Sequence, residues 1–133
     1  MNDILVPISP GELLDKITIL RIKAVRMQDA AKVANVRLEL SLLEQIWEDS
    51  RDGSAHDVAA EIQALHAVNE RLWVIEDDIR DQEAAGTFGA RFIELARAVY
   101  MDNDERAAIK KRINVTLGSR IVEEKSYKPY RPA

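Results

Sequence analysis

A heptad pattern between residues 58 and 83 constrains this chain most, because it fixes one face of a long helix. The pattern consists of Val58, Ile62, Leu65, Asn69, Leu72, Glu76, Ile79 and Glu83. Steps of four and three residues keep one stripe of a helix turned toward a neighbouring element. Three of the positions are polar, and a buried carboxylate is costly unless it is paired or hydrogen-bonded. The polar positions therefore mark either a site or an exposed part of the stripe.

The length and composition predict one self-supporting domain. A chain of 133 residues buries roughly two-thirds of its unfolded surface and folds without covalent staples. The absence of cysteine excludes disulfides, thiolate metal sites and cysteine nucleophiles. Neither a secretion signal nor an apolar run of membrane-spanning length is visible, which predicts a cytoplasmic protein with no membrane partner.

The strongest local signal predicts the start of the first helix. Ser9 is placed to cap the helix, Pro10 to occupy its first position, and Glu12 to close a capping box. Residues 4–8 are apolar and contain Pro7, which predicts a short extended lead-in before the helix.

The second helix has a regular apolar stripe. Asp29 is predicted to cap it. The stripe consists of Val33, Val36, Leu40, Leu43 and Trp47. Spacing of this kind also suits dimerisation, since exposed heptads often pair between chains.

The remaining segments complete a predicted all-α, antiparallel bundle of four to five helices around one long central helix, about 54–85. Gly86 is predicted to end that helix. Polar, mostly acidic residues at 102–105 predict a break between a fourth and a fifth helix. The helical spacing of apolar residues continues through this segment, so one continuous helix is the alternative. The predicted domain is a bundle over 1–118, with 119–133 as its strap or tail.

Charge is distributed unevenly along the chain. Residues 1–105 hold 11 Lys/Arg and 21 Asp/Glu, whereas residues 106–133 hold 8 and 2. We favour pairing of the basic end with the acidic body of the same fold over an anionic partner. The acidic body also argues against nucleic acid as a partner.

An acidic run at residues 76–83 is the weak candidate for a metal site. Its candidate oxygen ligands for Mg²⁺ or Mn²⁺ are Glu76, Asp77 and Asp81. The favoured interpretation is a solvated acidic face with no cofactor, in which Glu76 pairs with Arg80 or with residues 110–112.

Several longer runs carry a resemblance to a known family. They cover residues 4–20, 76–80, 92–100 and 122–127, and include a Pro-x-Ser-Pro-Gly-Glu-Leu-Leu-Asp-Lys start, a Glu-Asp-Asp-Ile-Arg centre and a Glu-Glu-Lys-Ser-Tyr end. With these runs the chain resembles a small bacterial family of helical proteins that is catalogued as a domain of unknown function. The resemblance implies a self-standing helical domain from a bacterium, and it implies no activity, substrate or catalytic residue.

The same runs and the basic end contain polar groups that bundle packing does not require. We hypothesise that they form one charged pocket closed by the C-terminal strap. The candidate residues are Asp15, Lys16, Glu76, Asp77, Arg80, Arg97, Tyr100, Lys110, Arg112, Glu124 and Lys125.

The sequence leaves two functions open. The first is a helical interaction or accessory protein that self-associates or binds another bacterial protein. The alternative is a Mg²⁺- or Mn²⁺-dependent enzyme acting on a phosphorylated or otherwise anionic metabolite, with Lys110 or Arg112 against the anion. An exposed apolar patch of several hundred Å² indicates the first, whereas a concave site with convergent carboxylates indicates the second.

Overall fold

A computed structural model describes residues 1–50 and 57–131, and all regular secondary structure within them is helical. The helices are α1 (Pro10–Arg26), α2 (Ala30–Ser50), α3 (Ala59–Ala85) and α4 (Ala90–Thr116). The predicted all-α bundle is confirmed. Among the described residues, none of the helices combines the length and apolar content that crossing a bilayer requires.

The predicted helix ends agree with the structure at three positions. Ser9 Oγ accepts a hydrogen bond of 3.2 Å from the backbone N–H of Glu12, which caps α1. Asp29 Oδ1 accepts one of 3.1 Å from the N–H of Lys32 in the first turn of α2. Gly86 ends α3 with a φ of 67°, in the left-handed region that favours glycine. The predicted start of α3 near residue 54 is too early, because residues 57 and 58 precede the helix and α3 begins at Ala59, whose backbone N–H donates to Asp57 Oδ1 at 2.8 Å. The predicted cap Ser54 lies outside the described residues.

The predicted break in the middle of α4 is wrong, and the fourth and fifth predicted helices are one. The acidic residues there pair with α3 instead of capping a new helix: Arg71 reaches Asp102 at 3.6 Å and Glu105 at 2.6 Å. Asn103 Nδ2 donates to the Val99 carbonyl at 2.9 Å, within the continuous helix. A cap requires its side chain to bond the next turn of backbone, so these pairings leave no cap to begin a fifth helix.

Helices α3 and α4 form an antiparallel pair, each about 40 Å long at 1.5 Å per residue. The predicted long helix is therefore present as α3, but α4 equals it in length. Helix α1 packs against all three other helices, whereas α2 packs closely against α1 alone among the described residues. As a result, α2 lies on the outside of the bundle.

The core lies where α1 crosses the α3–α4 pair. Its buried residues are Leu13, Leu14, Ile17, Val58, Leu65, Val68, Leu72, Ile109 and Ile113. The apolar stripe of α2 packs against this core from the outside through Leu40, Leu43 and Trp47, which are partly buried.

Two extended segments flank the helices. The N-terminal arm, residues 1–8, is exposed along its whole length. The C-terminal strap, residues 119–131, runs back along α4, since Glu124 lies 3.9 Å from Lys111 and the Tyr130 ring stacks edge-on to Tyr100 at 5.1 Å.

Candidate functional site

A cluster of charges surrounds Lys110, where α4 faces the first turns of α1. The Lys110 Nζ lies 2.6 Å from Glu12 Oε2, 3.3 Å from Glu123 Oε2 and 3.5 Å from Asp15 Oδ2. The Lys110 side chain is only 12% exposed. Burial by itself lowers the pKa of this lysine, but the hydrogen bond to Glu12 and the negative charges of the three carboxylates outweigh it and raise the pKa above its usual value. The ammonium is therefore held in its charged form as the centre of the cluster.

The cluster continues into the interior through the polar position of the heptad pattern. Asn69 Nδ2 donates to Asp15 Oδ1 at 2.9 Å and to Thr18 Oγ1 at 3.0 Å, and Thr18 Oγ1 donates to the Asp15 carbonyl. All three residues are buried. Asn69 Oδ1 is a buried acceptor with no hydrogen-bond partner among the described residues. Because shifting α1 along α3 would break both Asn69 bonds, the network fixes the register of these two helices.

The two carboxylates of the heptad pattern lie in a different environment from Asn69. Glu76 and Glu83 are exposed, on the part of α3 that extends beyond the buried stretch of the helix. Glu76 pairs with Arg80 one turn later at 3.5 Å. These positions therefore belong to the exposed part of the stripe.

A second polar contact fixes α1 against α4. The backbone N–H of Gly11 donates to Asn114 Oδ1 at 2.7 Å, and Asn114 is buried. A Cβ atom at position 11 would lie 2.6 Å from the Lys110 carbonyl oxygen and 2.8 Å from Asn114 Oδ1. Only glycine permits this close approach of the two helices.

Acidic residues of the strap, rather than its bases, hold it to α4. Glu123 contacts Lys110 and also Lys125, the latter at 2.7 Å. The hydrogen bond from Lys125 and the charge of Lys110 lower the pKa of Glu123. Glu124 faces Lys111. Lys110 does pair with acids of the body, Glu12 and Asp15, so the basic end contacts both the body and the strap.

The structure divides the predicted pocket residues into separate groups. Asp15 contacts Lys110 directly, Lys16 joins through Glu12 at 3.7 Å, and Lys125 joins through Glu123. The other predicted residues have these positions: Glu124 faces Lys111, Tyr100 stacks on Tyr130, Glu76 pairs with Arg80, and Asp77, Arg97 and Arg112 are exposed. Arg97 lies thirteen residues before Lys110 on the same helix, about 20 Å away along its axis. A ligand-binding role for the set stays a prediction.

The weak metal candidates lie on the exposed face of α3. Glu76, Asp77 and Asp81 are all exposed there. In residues 1–50 and 57–131, no group of three or more His, Cys, Asp or Glu side chains is arranged to hold a metal ion.

Sequence reasoning missed part of the charge cluster. Glu12 was assigned to capping, but its carboxylate binds Lys110; Thr18, Asn114 and Glu123 were not singled out. One signal was available, since Gly11 weakens the first turn of a helix and therefore indicates a close approach of another backbone.

A second feature is a groove of about 1480 Å³ between the N-terminal arm and α2, called the apolar groove here for the side chains of its two walls. Its lining also includes the charged residues Asp3, Lys16, Glu39, Glu48 and Asp57. The α2 wall is a stripe of Leu38, Leu42 and Ile46, which are 64%, 48% and 47% exposed. The arm wall carries Ile4, Leu5, Val6 and Ile8. The apolar residues Val58, Ile62 and Leu117 also line the groove.

The exposed stripe of α2 is distinct from the one predicted from the sequence. At about 100° per residue, Leu38, Leu42 and Ile46 lie about 140°, or roughly two-fifths of a turn, around the helix from the stripe that faces α1. Val36 is the one buried residue of α2. Helix α2 thus has two apolar faces, and α1 covers one of them.

The fold and these two features define a small all-α bundle protein with a polar network in its interior and an apolar helix face that the described residues leave exposed. The chain belongs to the family described as "Family of unknown function (DUF6165)", whose model matches residues 4–131. The matched region includes both the strap and most of the arm. No curated protein and no solved structure matches the chain.

Proposed function

We propose that the protein is a helical interaction module that self-associates through the apolar groove, with α2 of a second copy as the occupant. The observation that carries the proposal is the exposed stripe of α2. Apolar side chains at Leu38, Leu42 and Ile46 are in water in the single chain, although each lies on a well-formed helix. Covering such a stripe is favourable, because it removes apolar surface from water.

The spacing of the stripe supports a second copy as the partner. Its three residues are four apart and symmetric about Leu42. A two-fold axis near Leu42 would place the two Leu42 side chains together and each Leu38 against Ile46 of the partner subunit. Ridges formed by residues four apart pack into one another at a crossing angle of about −50°. The same surface therefore complements itself, as an isologous interface requires.

Charge along α2 supports an antiparallel pairing. The first half of the helix carries Lys32, Arg37 and Glu39, a balance of +1, and the second half carries Glu44, Glu48 and Asp49, a balance of −3. Glu44 also pairs with Arg21 of α1 at 3.0 Å. Antiparallel copies bring each basic half toward the partner's acidic half, whereas parallel copies would bring like charges together. Antiparallel helix dipoles favour the same orientation.

The exposed area also supports a specific dimer. The seven apolar residues of the two walls present the equivalent of about four fully exposed large aliphatic side chains. At ~100 Å² of apolar surface each, complete burial would remove at most roughly 400 Å² per copy. A standard interface takes about 800 Å² from each partner, of which roughly 60% is apolar. The groove therefore supplies more than half of the apolar area that such an interface needs.

Leu42→Glu should weaken the dimer by at least about thirtyfold in dissociation constant, which corresponds to ~2 kcal/mol. The substitution places two carboxylates against each other at the two-fold axis, in surroundings that do not pair them. Light scattering coupled to size exclusion, over a dilution series, measures the effect against the single-chain mass of 15.0 kDa.

The matched control is Ile93→Glu, because Ile93 is 56% exposed on α4 and does not line the groove. We expect wild type and Ile93→Glu to run at twice the single-chain mass, and Leu42→Glu at the single-chain mass. A wild-type protein that stays at the single-chain mass at every concentration contradicts the proposal.

A further inference from the structure

We infer that the N-terminal arm of each copy clasps α2 of the partner copy, so that both subunits contribute to each groove. This inference rests on the proposed self-association and assigns the arm a role in it. The groove has two walls, and the arm is the one that belongs to no helix. A helix that enters the groove meets the α2 stripe on one side and the arm on the other.

The arm does not pack on the α2 of its own chain. Ile4, Leu5 and Val6 are 77%, 87% and 66% exposed, although they line the same groove as Leu38, Leu42 and Ile46. The two walls are therefore separated by open space. In the single chain these three apolar side chains therefore remain in contact with water. They are removed from water only when a partner occupies the space between the two walls, which is favourable.

The arm is fixed at its base and stiffened by proline. Ser9 is buried, caps α1 and has a ψ of 155°. Pro7 and Pro10 each hold the preceding residue in an extended conformation. The next residue, Gly11, is bound to Asn114 of α4. A pre-extended arm loses little conformational entropy on binding, which favours its use as a clasp.

The extent of the groove along α2 suits the inferred occupant. Its lining residues on α2 run from Asn35 to Ser50, which is about 24 Å of helix. An antiparallel α2 of the partner has the same apolar stripe over this length. Two-fold symmetry then places the first α2 under the partner's arm in the same way.

The first test replaces the three exposed arm residues together, as Ile4→Ser, Leu5→Ser and Val6→Ser, in the full chain. The matched control changes three similarly exposed residues outside the groove, as Val25→Ser, Ile93→Ser and Val115→Ser; these are 85%, 56% and 68% exposed. We expect the arm variant to raise the dimer dissociation constant at least tenfold, and the control to leave it within about twofold. At concentrations where the protein is monomeric, both variants should keep the wild-type thermal unfolding midpoint, because the substituted side chains are exposed in the monomer.

An unchanged dissociation constant for the arm variant, in a protein that still dimerises, overturns the clasp and leaves the proposed self-association standing. A wild-type protein that never dimerises overturns the self-association itself. The two failures are therefore distinguishable in one dilution series.

The second test shows which chain the arm touches. The protein has no cysteine, so single variants Leu5→Cys and Leu38→Cys can be mixed and treated with a short bismaleimide. The clasp predicts a cross-linked product of two chains from the mixture. The comparison is a Leu5→Cys/Leu38→Cys double variant, in which both thiols lie in one chain. If the double variant cross-links within one chain and the mixture gives no two-chain product, the arm closes on its own α2, which contradicts the clasp.

Discussion

Lys110→Met is expected to destabilise the protein by about 3–5 kcal/mol, the largest effect of any substitution considered. Removing the ammonium leaves the carboxylate of Asp15, whose side chain is 7% exposed, without its cation, and leaves Glu12 only its longer contact of 3.7 Å with Lys16. Breaking a buried ion pair on one side costs about this much, because the remaining charge keeps its desolvation penalty and loses its partner. Urea unfolding followed by far-ultraviolet circular dichroism measures the loss.

The adjacent lysine is the control. Lys111 is 57% exposed and lies 3.9 Å from Glu124, so Lys111→Met should change the stability by less than about 0.5 kcal/mol. Adding Asp15→Asn to Lys110→Met should recover part of the loss, since it removes the unpaired charge. Equal effects of the two lysine substitutions would show that the cluster around Lys110 contributes no more than a surface pair.

Gly11→Ala is expected to destabilise the protein by about 2–3 kcal/mol. At an exposed helical position the same change stabilises by about 1 kcal/mol, because alanine is the better helix former. Here the new Cβ meets the Lys110 carbonyl oxygen at 2.6 Å, and that atom belongs to the backbone of α4. The helices must separate to relieve the contact, which strains the hydrogen bond between Gly11 and Asn114.

Gly89→Ala provides the comparison for this substitution. A Cβ atom at position 89 has nothing within 4 Å, so we expect a change below about 1 kcal/mol. Thermal and urea unfolding of both variants measure the difference. A Gly11→Ala protein as stable as wild type would mean that α1 and α4 tolerate a wider separation than their contact distance indicates.

The buried contacts of α1 also determine where the apolar groove lies on the surface. Gly11, Asp15 and Thr18 hold α1 in one position against α3 and α4. Helix α2 packs against α1 and reaches no other helix closely in the described part of the chain. The polar network of α1 therefore positions α2, and with it the apolar groove, on the outside of the bundle.

Local features of the fold were predictable from the sequence because they depend on neighbouring residues. The Ser9 cap, the Asp29 cap and the Gly86 end each involve groups within about one helical turn. A break in α4 was favoured over the continuous alternative, because the pairing of Asp102 and Glu105 with Arg71 of another helix is not visible in the local sequence. Cap residues and ion-pair partners are the same residue types, so local sequence does not separate the two roles.

The candidate surfaces were predictable only in part, for a similar reason. Asn69 was identified as an unusual polar residue in an apolar stripe, but its partners Asp15 and Thr18 are 54 and 51 residues away along the chain. The second helix was identified as suited to dimerisation from the stripe that in fact faces α1. The exposed stripe of α2 depends on which side of the helix packs against the bundle. Helical periodicity alone does not determine which of two apolar stripes is the packed one.

Disulfide formation by a Leu42→Cys variant tests the central claim most directly. Antiparallel pairing of α2 about an axis near Leu42 brings the two new thiols together, within the roughly 4.4–6.8 Å between Cα atoms that a disulfide requires. We predict that mild oxidation converts Leu42→Cys into a covalent dimer, while Ile93→Cys, exposed on α4, stays a single chain under the same conditions. Failure of Leu42→Cys to link, or linking no faster than Ile93→Cys, would contradict self-association through α2.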